Sequence, residues 1–544
     1  MNKPERKKTT STRRDYYMII TWIALTGILI FRILLERMIG DNGVAYFGVA
    51  NEIYLVIAGT FSYGLAEATA LLVRYRVKRD QYKSAEKVLS GALVFGGSTG
   101  FILSVLFLVL GSYFADKVLH VPLAGMAVGM MAPAMFFYIL TGIFRGYFQG
   151  NGSKVPAMHS QILHILFLFI GGLTGAALLH RYGVKVSAFL QNEDYAAAYG
   201  AMGAAIGLLA ASLICFLHVL VLFFVFKSSL KKQMGRELQR NQDTTMRVLR
   251  LLMGSSIFYS LYWICFHGLP LLDQYLFFLF NAEADNRVTQ WGQYYGKCFA
   301  VIGIVCGLAN LICTMPVRRI MVSIEREENR IVRERLGVLI HQCAIIAIPA
   351  AVFLAVLAEN VLDMLFKGNQ QEAVNWVRLG SLIILFNVFG SVFMEILMRS
   401  RKLKYVTGIG AIALILHSGV AVLLLKTAKT GITGVITAVI VFYAAVAVMG
   451  FLLICRSFQY SQEWIRCFLI TAAASAVPGV IVFLLNKIFA PMVGSVISLV
   501  ICLVTAVIIY LVLLIVLRAF KDGELEEMAG GRILTMLAGL LHFS

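Results

Sequence analysis

Charge is what this chain has little of. Only 14% of its 544 residues are Asp, Glu, Lys or Arg, against about 25% in a typical soluble domain. Proline is scarce as well, at 9 residues, while 59% of the chain is hydrophobic. That composition excludes a soluble enzyme, a disordered chain and a coiled coil. The nine cysteines form no CxxC pair, and no His/Cys cluster has metal-ligand spacing. None of them falls in a predicted outer loop, so no disulfide framework is indicated. A GxxxxGK[ST] phosphate loop is absent too. No cofactor is expected.

What is present is a series of long apolar runs, with a mean hydropathy of +0.81. A helix needs about 20 apolar residues to cross the hydrocarbon core. Fourteen runs qualify: 17–39, 44–73, 88–114, 122–147, 157–180, 198–226, 248–281, 292–316, 336–358, 376–398, 405–425, 432–455, 465–486 and 493–517. Strand-type alternation is missing over these lengths, which argues against a β-barrel. The expected fold is therefore an all-α polytopic membrane protein of about 14 transmembrane helices. The runs at 44–73 and 248–281 are long enough to hide a kink, and Pro270 beside Gly268 is the natural breaking point of the second. Pro133, Pro349 and Pro478 also lie inside spans and would bend them.

The net charge of +19 would suggest nucleic acid in a soluble protein. Here the position of the charges gives another answer. With the N-terminus inside, and with Arg145, Arg250, Arg378 and Arg466 at span ends counted with the adjoining segments, 36 of the 48 Lys and Arg fall on the inner side, 9 outside and 3 within spans. The 29 acidic residues divide as 15 inside, 9 outside and 5 within spans. This is the positive-inside bias. It places both termini in the cytoplasm, implies contact with anionic lipids and removes the case for nucleic acid.

Charge pattern and spacing repeat at an offset of about 240–250 residues, so that spans 1–6 correspond to spans 7–12. An even number of spans per half predicts two parallel six-helix bundles with a site between them. The expected organisation is a basic tail at 1–16, a lobe at 17–226, a basic linker at 227–247, a second lobe at 248–455, two extra spans at 465–517 and a cytoplasmic tail at 518–544. Within that tail, 525–543 has the apolar spacing of an interfacial helix.

Ionisable residues inside spans are expensive and mark function by default. They are Arg32, Glu36 and Arg37 in span 1, Glu52 and Glu67 in span 2, Asp273 in span 7, Lys297 in span 8 and Glu395 in span 10. Arg32 and Glu36 share a helix face at i,i+4. Arg37, Glu52 and Lys297 either face an internal cavity or snorkel to the outer headgroups.

The stretch Phe144-Arg145-Gly146-Tyr147-Phe148-Gln149-Gly150-Asn151-Gly152, followed by Lys154, Pro156 and Ser160-Gln161, resembles an RGYFQG…P…SQ signature. It belongs to polysaccharide-biosynthesis flippases of the stage V sporulation protein B-like and MviN-like group. That group lies in the multidrug/oligosaccharidyl-lipid/polysaccharide (MOP) superfamily. Ile30 to Gly40 with Gly43 and Tyr46 resembles the group's first span, and Gly64 to Ala85 resembles its second span and basic loop. The chain departs from the group's pattern at Glu67 and Thr69, at Val322-Ser323, and at Lys297, where MviN-type flippases carry arginine.

The resemblance implies a MATE-like arrangement of the lobes in a bacterial plasma membrane. It implies export of a polyprenyl-pyrophosphate-linked sugar precursor for cell-wall or surface polysaccharide, by alternating access. The partners would be membrane lipids, the lipid-linked oligosaccharide itself and polysaccharide-assembly enzymes. Arg32 and Lys297 would hold pyrophosphate, with Glu36, Asp273 and Glu67 positioning these cations or binding a coupling cation, Na+ or H+. Otherwise the membrane potential would supply the energy. Arg74, Arg145, Gln149 and Lys154 would form a cytoplasmic gate or touch lipid headgroups. On this reading Gly146, Gly150 and Gly152 permit a tight inner turn. The alternatives are a cation-coupled multidrug exporter of the same superfamily and, more remotely, a glycosyltransferase using Glu283-Ala284-Asp285 as a metal motif. The first reading makes the protein a transporter and not an enzyme.

Overall fold

The computed structural model describes residues 5–235, 244–368, 371–521, Glu524 and Met528. Every regular element among them is helical. Twelve of these helices, from Tyr82 onward, are long and apolar enough to cross a membrane. Ahead of them lies α1 (Glu5–Val77), which is 73 residues long. Straight, it would measure roughly 110 Å, several times the thickness of the hydrocarbon core. It bends instead at Gly40, with φ 73° and ψ 177°, a backbone region that is essentially restricted to glycine. The two arms carry the first two predicted spans, which completes the expected fourteen. Large apolar side chains such as Phe101, Ile102, Val109, Val504 and Ile508 stand exposed on the helix exteriors. Such a surface suits lipid and not water.

Two compact units divide the chain. The first takes in Met1–Gly296 with Leu425–Lys429. After α1 it contains α2 (Tyr82–Tyr113), α3 (Gly125–Gly150), α4 (Val155–Phe167), α5 (Leu173–Leu190), α6 (Asp194–Gly235), α7 (Thr245–His267), α8 (Leu269–Phe280) and α9 (Arg287–Gln293). The seventh predicted span is broken between α7 and α8 at Gly268, two residues before Pro270. Proline at the second position of α8 needs no N–H partner there, so the break leaves little unsatisfied. Pro133, Pro349 and Pro478 lie inside continuous helices.

In this unit α3 packs on α1, α2 and α6. The approach to α1 is unusually close because Gly142, Gly146 and Gly150 recur every four residues on one face of α3. A Cβ at Gly142 would lie 2.2 Å from Ser62 Oγ, at Gly146 2.2 Å from the Ala66 carbonyl oxygen, and at Gly150 2.6 Å from Val73 Cβ. Small residues that let backbones meet are a characteristic device of membrane helices. The signature glycines therefore work differently from the sequence expectation. Gly146 and Gly150 are helical contact residues, and only Gly152, with φ 91°, lies in the turn.

The second unit takes in Lys297–Leu424 and Thr430–Ser544. It contains α10 (Phe299–Thr314), α11 (Val317–Glu325), α12 (Asn329–Val356), α13 (Ala358–Leu365), α14 (Gln371–Arg399), α15 (Leu403–Val422), α16 (Ile432–Phe458), α17 (Thr471–Val493) and α18 (Ser495–Val516). Here α14 packs on α10, α12 and α16. The fourth and tenth spans, α3 and α14, are thus each the hub of their own unit.

The last two spans attach to this unit through α12 and α13. Phe353 and Leu357 join Val482, Leu499, Cys502, Ala506, Tyr510 and Leu514 in one apolar cluster. Tyr510 donates its hydroxyl to the Ile345 carbonyl at 2.8 Å. At the other end a pair of amides interlocks: Asn360 donates to Asn486 Oδ1 at 2.9 Å, and Asn486 donates back to Asn360 Oδ1 at 2.7 Å. Ser498 adds a hydrogen bond to Asn486 at 2.7 Å. Removing one member strands its buried partners, at about 1–3 kcal/mol. Asn486→Ala should therefore speed limited proteolysis after α16 and lower the midpoint of thermal unfolding. Unchanged proteolysis would show that the amides do not hold the two helices. The interfacial helix expected over 525–543 lies outside the described residues apart from Met528, as does 236–243 of the expected linker.

Candidate functional site

The bend at Gly40 turns the two arms of α1 into a hairpin, and the hairpin brings intramembrane charges together. Phe31 and Phe47 meet across it edge-to-face, with ring centroids 5.8 Å apart. One residue further along, Arg32 Nη2 donates to Glu52 Oε1 at 3.2 Å. Both side chains are buried, at 4% and 3% exposure. Tyr295 closes the group. Its hydroxyl donates to Glu52 Oε1 at 2.6 Å, and the Arg32 guanidinium lies 4.1 Å from the centre of its ring. Asn51 Nδ2 donates to the Tyr295 hydroxyl at 3.0 Å and to Glu52 at 3.3 Å.

The local sequence explains why Tyr295 reaches this position. A side chain at Gly48 would strike its ring, since a Cβ there would lie 2.8 Å from Tyr295 Cε1. A Cβ at Gly292 would lie 2.0 Å from the Asp41 carbonyl oxygen. These two glycines let the start of the eighth span lie directly against α1. Tyr295 and Lys297 both belong to a π-helical turn, Tyr294–Cys298, a geometry that recurs at functional sites. Glu36 is buried on the first arm of α1 and points toward this turn, where a Cβ at Gly296 would lie 3.7 Å from Glu36 Cβ.

Lys297 is buried in the second unit, its ammonium 5.6 Å from the ring centre of Phe366. Glu52 and Lys297 are both 3% exposed, so neither snorkels; Arg37 is exposed. Asp273 is buried at 2% in α8, next to Gln274 at 0%. Neither end of the Gln274 amide has a hydrogen-bond partner among the described residues. Glu395 pairs with Arg399 one turn on.

A second group sits at the other end of the first unit. Glu67 is half-buried, and the charges of Lys154 and Arg74 reach it. One turn before it, Tyr63 packs against Trp263 at 5.1 Å, Tyr262 at 5.9 Å and Tyr259 at 6.3 Å between ring centroids. Trp263 donates to the Leu55 carbonyl and Ser260 to that of Thr60, tying α7 to α1. Arg145 Nε donates to Ser160 Oγ at 2.7 Å, within the bundle. The first and last elements of the RGYFQG…P…SQ string are therefore hydrogen-bonded to each other. Gln149 is half-buried and Arg74 exposed.

Tyr295, Asn51 and Gln274 escaped the sequence reading. The adjacent Asn51-Glu52 pair in an apolar run was a signal for the second of these. Tyr295 is one of 22 tyrosines, and nothing local distinguishes it.

No family model matches the chain. It is 20% identical over 500 residues to stage V sporulation protein B of Bacillus subtilis (strain 168), spanning 91% of this chain and 93% of that protein. It is 24% identical over 381 residues to the uncharacterised membrane protein YabM of the same organism, 68% of this chain and 66% of that one. Among solved structures it resembles the lipid II flippase MurJ in an inward closed conformation. The TM-score is 0.64 at 14% identity, over 92% of this chain and 97% of that one. It also resembles an inward-facing multidrug resistance MATE family transporter, with a TM-score of 0.61 at 14% identity, over 80% and 94%. This multi-pass membrane protein has the fold of the MurJ and MATE structures, and it is similar to stage V sporulation protein B along nearly its whole length.

Proposed function

We propose that the protein is a flippase that moves a lipid-linked sugar precursor, a polyprenyl pyrophosphate carrying a saccharide, across the bacterial plasma membrane with both its termini in the cytoplasm. Such a head cannot cross hydrocarbon unaided, because its hydroxyls and charges would lose water without gaining partners. The observation that carries this reading is coverage. The MurJ likeness takes in 92% of this chain, whereas the MATE likeness takes in 80% while using 94% of that transporter. The difference is of the size of the two extra spans, the part absent from a twelve-span exporter.

In this reading Arg32 is a cation held in position by Glu52 and Tyr295 that attracts the pyrophosphate through charge-assisted hydrogen bonds, and Lys297 is a further buried cation able to do the same. Glu36 and Asp273 set the local field. Glu67, with Arg74, Arg145, Gln149 and Lys154 near it in sequence or space, belongs to the cytoplasmic mouth. Energy comes from an ion gradient or the membrane potential, and polysaccharide-assembly enzymes take up the product.

The test is translocation in proteoliposomes, scored as loss of access of a membrane-impermeant reagent to a labelled lipid-linked saccharide. Arg32→Gln combined with Glu52→Gln removes the cation while leaving a hydrogen-bonding pair inside the hairpin. It should abolish translocation; full activity would remove Arg32 from the mechanism, and a wild-type protein that never moves the lipid would refute the reading.

One observation favours the multidrug alternative. Tyr63, Tyr259, Tyr262 and Trp263 beside Glu67 are the aromatic and acidic wall that an organic cation would prefer. Resistance of expressing cells to cationic dyes, lost in Glu67→Gln, would establish it.

A further inference from the structure

The second unit holds a cavity of about 520 Å³ whose lining includes none of the intramembrane charges, within the size range of small-molecule sites. It is bounded by the start of α12, by the segment 460–467, and by Lys521 and Glu524 beyond α18. The charge bias puts all three segments on the cytoplasmic side, at the membrane surface.

Its carboxylates already have partners. Glu463 is bonded to Lys521, Glu334 to Arg330 at 3.0 Å, and Glu524 to His341 Nδ1 at 2.7 Å. Glu524 also accepts from the Lys521 backbone N–H at 2.9 Å. An ionised carboxylate only accepts, so Nδ1 is the donor in the His341 pair. That leaves His341 Nε2, on a side chain 5% exposed, without a hydrogen-bond partner among the described residues. Two lining cations remain, Arg333 and Arg466. The charge of Arg466 reaches Glu463, but among the described residues neither guanidinium makes a hydrogen bond or an ion pair. The charge left unspent in the cavity is therefore positive, and it is carried by two planar forks suited to phosphate oxygens.

We infer that this cavity binds a phosphate-bearing anion through Arg333 and Arg466, at the seam between the ninth span and the two extra spans. The same chemistry is offered by an anionic lipid headgroup and by a soluble phosphate ester. The site does not depend on which substrate the transporter moves.

The experiment uses the full chain in phosphatidylcholine nanodiscs, with the thermal midpoint as readout. One arm adds inorganic pyrophosphate; the other replaces a fraction of the lipid with phosphatidylglycerol. Each arm is repeated on the double variant Arg333→Gln, Arg466→Gln, and on Arg326→Gln, which lies on the same basic segment outside the cavity. A rise in midpoint with pyrophosphate identifies a soluble anion, and a rise only with phosphatidylglycerol identifies a headgroup. Either rise should be lost in the double variant, with at least tenfold weaker apparent affinity, and kept in Arg326→Gln. No rise in either arm, or an equal rise in the double variant, overturns the inference. Among the described residues Arg333 and Arg466 make no hydrogen bond or ion pair, so the double variant should fold with an unchanged midpoint in phosphatidylcholine alone.

Discussion

Arg32→Met should be among the most damaging single substitutions in the chain, at about 3–5 kcal/mol. That is the usual cost of removing one partner from a buried ion pair. Glu52 would stay behind at 3% exposure, its negative charge facing the Tyr295 hydroxyl and the Asn51 amide. The informative comparison is the double variant Arg32→Met, Glu52→Met. Replacing a whole buried pair by apolar side chains of similar size is often neutral or better. Here it would still take away the acceptor of the Tyr295 hydroxyl, at about 1–3 kcal/mol, while Asn51 keeps its bond to that hydroxyl. The double variant should therefore lie between the wild type and Arg32→Met in thermal stability in detergent. If the single and double variants unfold at the same temperature, the two side chains are not coupled in the membrane protein. The comparison also bears on transport: a loss of activity in an Arg32 variant means little until this structural cost has been separated from it.

Gly146→Ala should be nearly as disruptive, although it adds a single methyl group. The new Cβ would sit 2.2 Å from the Ala66 carbonyl oxygen and 2.8 Å from Ala66 Cα. Those are backbone atoms, which cannot rotate aside, so α1 and α3 must separate along the seam. Overpacking of this kind costs about 1–3 kcal/mol, and loss of the neighbouring contacts at Gly142 and Gly150 would add to it. The same helix supplies the control. Gly129 has open space where a Cβ would go, so Gly129→Ala should be neutral or stabilising by up to about 1 kcal/mol through helix propensity. Equal midpoints for the two variants would refute the close seam.

Most of the fold was legible because it rests on long-range averages of the sequence. Apolar run length, together with Gly268 and Pro270 in the seventh span, leads to the right elements and to the break at Gly268. The candidate site was legible only as a set of residues. The i,i+4 spacing connects Arg32 with Glu36, and it contains nothing about Glu52, which becomes a neighbour only once the backbone turns at Gly40. Tyr295 arrives from 243 positions away, so no local pattern could have pointed to it. The glycines of the RGYFQG string show a different failure. Their four-residue spacing back to Gly142 was present in the sequence, but a glycine-rich stretch near a basic loop also fits a turn, and periodicity within one helix does not name the surface it will meet.

The hairpin of α1 also matters before the protein is complete. It carries two opposite charges that must enter the bilayer. Entering singly, each of its charged helices would carry a penalty of about 2.5–3.5 kcal/mol at the centre of the membrane. Entering as a pair, Arg32 and Glu52 go in as one nearly neutral unit. A residue at position 40 that cannot adopt the glycine-only geometry would hold the two charges apart during insertion. The expected phenotype of such a change is a defect of biogenesis: fewer molecules correctly threaded through the membrane, each of them no slower than the wild type.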